Sequence, residues 1–298
     1  MAKTIGVIVS ERISAGLVVD HKLTGPVRSF PEDHDELDGL VELHTESLVQ
    51  TICEQVVLAA NGTKDIAAVG VALPGLVKAG VVEDSPNLPQ LKGARIGDLL
   101  TAQLRNHGLE TVVTILNDAD GMATGLAVEH GKLDSVIRVW TLGVGIGYGR
   151  YPFTPGMWEG GHTVVTLDDK ERFCGCGGRG HMEGIMGHRA MRLRFLDLEP
   201  EEVFEAAKRG ERRCVEFKQL WHKALAAATA SSIHMAGPGK FFLTGFNARF
   251  LDMPMLRDYM QQMVKMSPLQ SYSLEIVHDV PETRVIGAAI SAEQAAGL

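Results

Sequence analysis

The sequence predicts an α/β fold, and three observations carry that reading. Short apolar runs of strand character recur along the chain, separated by stretches whose apolar residues follow helical spacing. The pattern occupies both sides of a break near Asp118, so residues 1–118 and 119–282 read as two α/β lobes. Turn residues collect at three strand ends, Pro74-Gly75, Asn117-Asp118 and the glycine run 143–149. Ligands of open α/β sheets lie outside such carboxyl ends.

Taken in order, residues 4–9 (TIGVIV) and 15–19 (AGLVV) read as a hairpin, and 26–34 as a loop. From 35 to 60, Leu40, Leu43, Leu48, Ile52, Val56 and Leu58 recur at helical spacing, and Asn61-Gly62 ends that helix. Residues 66–73 form a buried strand, 75–93 a long loop, 97–107 a helix and 112–116 a strand. A helix of small residues, 119–130, suits close packing; the strand 135–142 then runs into the glycines. Helices follow at 188–197, 200–208 and 212–236, strands at 241–243 and 273–278, and a closing helix at 283–296.

Composition narrows the function. The chain has 298 residues, 45% hydrophobic and 22% charged, with a net charge of −8. That balance argues against nucleic acid as a partner, which needs a basic face. No apolar run approaches the roughly 20 residues that span a bilayer, and the short apolar start is broken by Ser10, Glu11 and Arg12. Four cysteines make no disulfide scaffold, so a cytoplasmic location is expected.

Residues 158–183 (WEGGHTVVTLDDKERFCGCGGRGHME) concentrate the chemistry. Cys174 and Cys176, with His162 and His181, supply C-x-C and C-x4-H spacing suited to one structural, tetrahedral Zn2+. Two buried thiols, or a strained Cys174–Cys176 disulfide, are the plainer alternatives. Glu159 and Glu183 at the edges of this stretch are expected to face a small polar ligand.

Several segments in order resemble the ROK family of sugar kinases and sugar-responsive repressors. VALPGLVKAGVVEDSPNLP resembles its P-G-x-V and P-N-L-P segment, and LNDADGMATGLAVEHG its N-D-A-N-x-A-A-x-x-E segment. TLGVGIGYG resembles its second phosphate motif, and WEGGH with CGCGGRGHME its G-E-x-G-H and C-x-C-G-x-x-G-C-x-E signature. The resemblance implies an actin/hexokinase-like duplicated fold with two lobes, the C-terminal helix 283–298 packing on the first. It implies Asn87, Asn117, Asp118, Glu159, His162 and Glu183 as sugar ligands. It implies His162, Cys174, Cys176 and, in place of the family's third cysteine, His181 as zinc ligands. A homodimer is the family's common state. Asp118 could act as general base toward a hydroxyl, or merely cap the helix that follows.

Departures fall on the nucleotide side. The family's D-x-G-G-T-K hairpin is replaced by Ile8 at the Asp position and by Ser10, Glu11, Arg12 and Ile13. Val144 stands where a hydroxyl residue meets phosphate, and Thr244-Gly245-Phe246-Asn247 replaces a triple-glycine turn. ATP and Mg2+ are therefore doubtful substrates on this reading, and the glycine run reads equally as a tight turn. Trp158 either stacks on a sugar or packs in the core. The expected function is carboxylate chemistry on a bound sugar or glycoside, with Asp118, Glu159 and Glu183 performing glycoside hydrolysis. An ATP-dependent hexose or N-acylhexosamine kinase is the alternative, and a non-catalytic sugar sensor the second. Because the chain opens directly on a strand, a DNA-binding module is not expected.

Overall fold

The computed structural model describes residues 2–32, 40–153 and 158–298. The chain forms two compact units, residues 1–137 with 149–158 and 280–298, and residues 138–148 with 159–279.

The first unit begins with β1 (Lys3–Val9) and β2 (Ile13–Val19), paired antiparallel from Lys3↔Val19 to Val9↔Ile13. Their apolar residues run almost continuously because both faces are covered. The expected loop at 26–34 is partly strand. β3 (Lys22–Leu23) and β4 (Arg28–Phe30) both pair with β2, while 33–34 lie outside the described residues. Helix α1 (Thr45–Ala60) starts later than its apolar spacing suggests. Of the expected helix, 35–39 lie outside the described residues and 40–44 are not helical. There Gln90 Nε2 donates to the Leu40 carbonyl at 2.8 Å, and Thr45 Oγ1 donates to the Gln90 carbonyl, so tertiary bonds hold the turn.

β5 (Ala68–Leu73) lies parallel to β1, pairing Thr4↔Ala68 through Ile8↔Ala72. The expected loop 75–93 contains a hairpin, β6 (Leu76–Lys78) and β7 (Val81–Asp84). Its two-residue turn, Ala79-Gly80, has φ of 49° and 77°, the primed geometry that matches strand twist. After α2 (Ile96–Asn106), β8 (Val112–Asn117) pairs parallel with β5, completing the order β3-β2-β1-β5-β8. Helix α3 (Asp118–Glu129) leaves the end of β8 without a connecting loop.

The second unit carries a sheet of order β10-β9-β11-β12. β9 (Ile137–Leu142) was expected; β10 (Ile146–Tyr151), hidden in the glycine run, was not. Helices α4 (Met182–Met186), α5 (His188–Arg194), α6 (Pro200–Lys208) and α7 (Arg212–Ala236) follow. β11 (Lys240–Thr244), α8 (Met253–Met263) and β12 (Ser273–Ile276) complete it. Trp140, Phe204, Phe217, Trp221 and Phe241 build its core.

Helix α9 (Pro281–Ala295) returns to the first unit and packs on β1, β5 and α3. Small residues allow this contact: a Cβ on Gly287 would lie 1.8 Å from the Gly121 carbonyl oxygen. A lobe boundary at 118 would have assigned α3 to the second unit. This close packing keeps it in the first, and the division falls after residue 137. Among the described residues, no helix is long and apolar enough to cross a membrane.

Candidate functional site

In the first unit the carboxyl ends of β5 and β8 are tied together. Asn117 closes β8 and caps α3: its Oδ1 accepts the Ala119 N–H at 2.8 Å, and its Nδ2 donates to the Gly75 carbonyl at 2.9 Å. Capping therefore falls to Asn117, and Asp118 is the first helical residue, with Oδ1 2.9 Å from the Ala119 nitrogen. The loop that carries the exposed Asn87 is stitched to the same edge, since Ser85 Oγ donates to the Pro74 carbonyl at 2.7 Å. Asn87, Asn117 and Asp118 thus stand on loops and ends that share one sheet edge.

Asp120 was not singled out from the sequence. It is buried one helical step beyond the sheet edge, and its Oδ1 accepts the Arg150 N–H at 3.0 Å. Burial pushes its carboxyl up to about 6; the Arg150 N–H and guanidinium oppose this, and Asp118 adds to it.

In the second unit the 159–183 stretch is a knot with little regular structure. The turn Gly160–His162, the bridge Val164↔His181 and the bond from Met182 N to the Thr163 carbonyl fold it on itself. His162 is central: Nδ1 lies 3.5 Å from Glu159 and Nε2 3.7 Å from Glu183. Glu183, in the first turn of α4, accepts the Ile146 N–H on Oε2 at 3.0 Å, while Oε1 lies 3.6 Å from Cys174 Sγ. Cys176 Sγ is 3.3 Å from both Cys174 Sγ and His181 Nδ1, and the His181 ring stacks on His162 with centroids 5.1 Å apart.

The four expected metal ligands therefore converge. The ligand atoms of His162, Cys174, Cys176 and His181 all lie within 4.8 Å of one another. Both thiols are free rather than joined as a disulfide. Burial pushes the Cys174 thiol up to about 12; a backbone bond from Cys176 opposes this, and the Cys176 thiol and the charge of Glu183 add to it. A cation held there would favour the thiolate form of Cys174. Donor chemistry and spacing fit Zn2+. Trp158, left open between core and ligand face, is half exposed and lies in the first unit under the Arg150 guanidinium, 3.8 Å from ring centroid to Cζ.

The ROK family profile matches residues 41–295. The chain belongs to the ROK family. A glucokinase of Thermotoga maritima is 26% identical over 284 residues, covering 85% of this chain and 87% of its own. A glucokinase of Pyrobaculum calidifontis is 29% identical over 212 residues, 66% of this chain and 68% of its own. Among solved structures, a ROK hexokinase from Thermus thermophilus covers 99% of both chains with a TM-score of 0.80 at 20% identity. That likeness shows the actin/hexokinase-like fold. Both curated relatives are glucokinases, and glycoside hydrolysis gains no support from them.

On the nucleotide side this ROK chain departs as its sequence indicates. Ile8 is buried within β1, so no carboxylate stands there for Mg2+, and Arg12 Nε donates to the Pro31 carbonyl at 2.8 Å. In the second unit, Gly143 N bonds the Gly145 carbonyl at 3.0 Å as a tight turn. Fully buried Asn247 donates to the Gly143 carbonyl at 3.0 Å and accepts from His188 Nδ1 at 3.2 Å. Phe246 packs edge-on against His188, 5.2 Å between centroids. The turn that replaces a triple glycine is thus clamped to the glycine turn. The pairing of Asn247 with His188 was missed from the sequence because the two meet from positions 59 residues apart.

Proposed function

We propose that this chain phosphorylates a hexose. Asn87, Asn117, Asp118, Glu159, His162 and Glu183 hold the sugar hydroxyls, and Asp118 is the general base. As the accepting oxygen bonds to the terminal phosphorus of a nucleoside triphosphate, Asp118 takes that hydroxyl's proton and the nucleoside diphosphate leaves. The observation that carries this reading is the arrangement at the start of α3. Asn117 caps the helix and ties β8 to Gly75, which sets Asp118 at the carboxyl end of β8 on the edge that the Asn87 loop shares. The glucokinase relatives support the same reaction class. His162, Cys174, Cys176 and His181 hold Zn2+, which supplies structural cross-linking of the 159–183 knot and fixes the His162 ring beside Glu159 and Glu183.

The test is ADP release by purified protein across hexoses and N-acylhexosamines. Saturable release that Asp118→Asn abolishes supports the kinase; no release with any sugar sinks it. One observation favours a second reading, sugar binding without transfer: the Phe246–Asn247 turn is clamped onto Gly143 by His188 and Asn247. A hexose that raises the melting temperature with no ADP release would establish that reading instead.

A further inference from the structure

Glu171 and Arg194 are charged groups withdrawn from water that neither the sugar reading nor the metal set uses. Glu171 is buried three residues before Cys174, and the side chain of Arg194, the last residue of α5, is 18% exposed. The guanidinium donates to both carboxylate oxygens, Nη1 to Oε1 at 3.0 Å and Nη2 to Oε2. Its Cζ lies 4.4 Å from the ring centroid of Phe173 and 5.4 Å from that of Phe217 in α7. A forked contact that also meets aromatic rings fixes direction as well as distance.

The pair grips the knot where its metal-bearing arms meet. On one arm, Phe173 immediately precedes Cys174. On the other, Gly180 immediately precedes His181, and its N–H donates to the Glu171 carbonyl at 2.8 Å. The Gly180 carbonyl accepts the Val165 N–H at 2.8 Å, three residues after His162. Arg194 Nη2 also reaches the Gly184 carbonyl at 3.5 Å, on the turn of α4 that packs against Cys174: a Cβ on Gly184 would lie 2.9 Å from the Cys174 nitrogen. Net stability is a weak reason for such a pair. Arg194 Nε is buried with no hydrogen-bond partner among the described residues, and a desolvated ion pair is often no more stabilising than apolar residues of the same volume. What the pair supplies is geometry. We propose that Glu171–Arg194 is a positioning pair for the metal: it holds the Cys174 and His181 arms at ligand distance before the ion arrives, and so sets the affinity of the site. This inference rests on the reading of His162, Cys174, Cys176 and His181 as zinc ligands.

The experiment uses the full chain as wild type, Arg194→Lys, Arg194→Met and the double variant Arg194→Met/Glu171→Met. The Kd for Zn2+ is measured by competition with a chromophoric chelator, and Tm is measured with and without zinc. Arg194→Lys keeps the charge and loses the fork, and the double variant removes both charges while keeping the volume. Both should bind Zn2+ at least tenfold more weakly than wild type. The rise in Tm that zinc produces should shrink in the double variant, because ligand affinity and stabilisation are linked. Arg194→Met, which leaves Glu171 buried and alone, should lose both affinity and metal-free stability; the double variant gives the answer if that protein does not fold. Wild-type zinc affinity in Arg194→Lys and in the double variant, with Tm lowered equally in the presence and absence of zinc, overturns the inference and leaves the zinc reading intact. A wild-type chain that binds no zinc overturns both.

Discussion

Removing the metal from the 159–183 knot should cost the protein several degrees of thermal stability and much of its grip on sugar. The first link is structural: between Gly160–His162 and α4 the segment holds one isolated bridge, Val164↔His181, and no helix or strand. A few backbone bonds, such as Val165 N to the Gly180 carbonyl and Gly180 N to the Glu171 carbonyl, hold it, and a metal cross-link would add to them. Joining His162 to His181 through one ion closes a loop of about 20 residues, which chain entropy values at about 3 kcal/mol. For a chain of this size that is a fall of roughly 6–12 °C in Tm. The ligand atoms are already placed for it: Zn–S bonds of about 2.3 Å set neighbouring sulfurs a little under 4 Å apart, and Cys174 Sγ and Cys176 Sγ are 3.3 Å apart. The second link is functional: His162 lies within 3.5 Å of Glu159 and 3.7 Å of Glu183, so its loss of anchorage should weaken glucose binding at least tenfold. The assay is metal analysis of protein purified without chelator, then scanning calorimetry before and after EDTA treatment. His181→Ala should lose the ion, and His181→Cys should retain it with a nearly unchanged Tm. Substoichiometric zinc together with an EDTA-insensitive Tm would refute the reasoning.

Four further outcomes are expected. Asp118→Asn should lower kcat by roughly 10²–10⁴-fold with little change in the KM for sugar, measured by ADP release. Phe246→Gly should open the clamped turn beside Gly143; titration with MgATP should show affinity rising several-fold, at a stability cost of about 1–2 kcal/mol from the half-buried ring and the added backbone freedom. Gly287→Ala should destabilise by about 3 kcal/mol or more in urea unfolding, because its methyl would meet the Gly121 carbonyl at 1.8 Å with backbone on both sides. The pH dependence of stability follows from Asp120. Its carboxyl titrates at about 6 when folded against 3.8 in its ordinary state, so the folded chain holds that proton more tightly. The resulting stability is full below about pH 4 and lost as pH rises through 6, about 3 kcal/mol in order of magnitude. Asp120→Asn should flatten that slope.

What the sequence made legible follows from how local each signal is. The β1–β2 hairpin and helices α6 and α7 announce themselves because apolar spacing and caps lie within each element. The metal knot is legible for the same reason: four ligands of one chemistry fall within about 20 residues. The hairpin β6–β7 is not, because its turn places Ala79, a residue with no bias toward positive φ, at 49°. Helix α8 is obscured by a Met-Pro-Met start and a narrow buried stripe of Leu256 and Met260. Burial of Asp120 and the Asn247–His188 clamp depend on distant segments, which no local pattern records.

The glycine run shows why a surviving motif is weak evidence for the ligand it once suggested. Gly145 is constrained by Glu183: a Cβ there would sit 2.7 Å from Glu183 Oε2, the atom that accepts the Ile146 N–H. Gly149 is constrained by the Ala119 carbonyl at the start of α3. Each constraint comes from an element that carries a carboxylate of the proposed sugar site, Glu183 in one case and Asp118 in the other. These glycines would be retained on packing grounds whether or not a phosphate ever approached them. Persistence of the run therefore counts neither for nor against a nucleotide. The weight shifts to Asp118, a carboxylate at the carboxyl end of β8, and to Phe246, a half-exposed ring packed on His188 beside a glycine turn. The first argues for chemistry on a hydroxyl, the second for a narrowed donor site. A kinase with a restricted triphosphate pocket satisfies both.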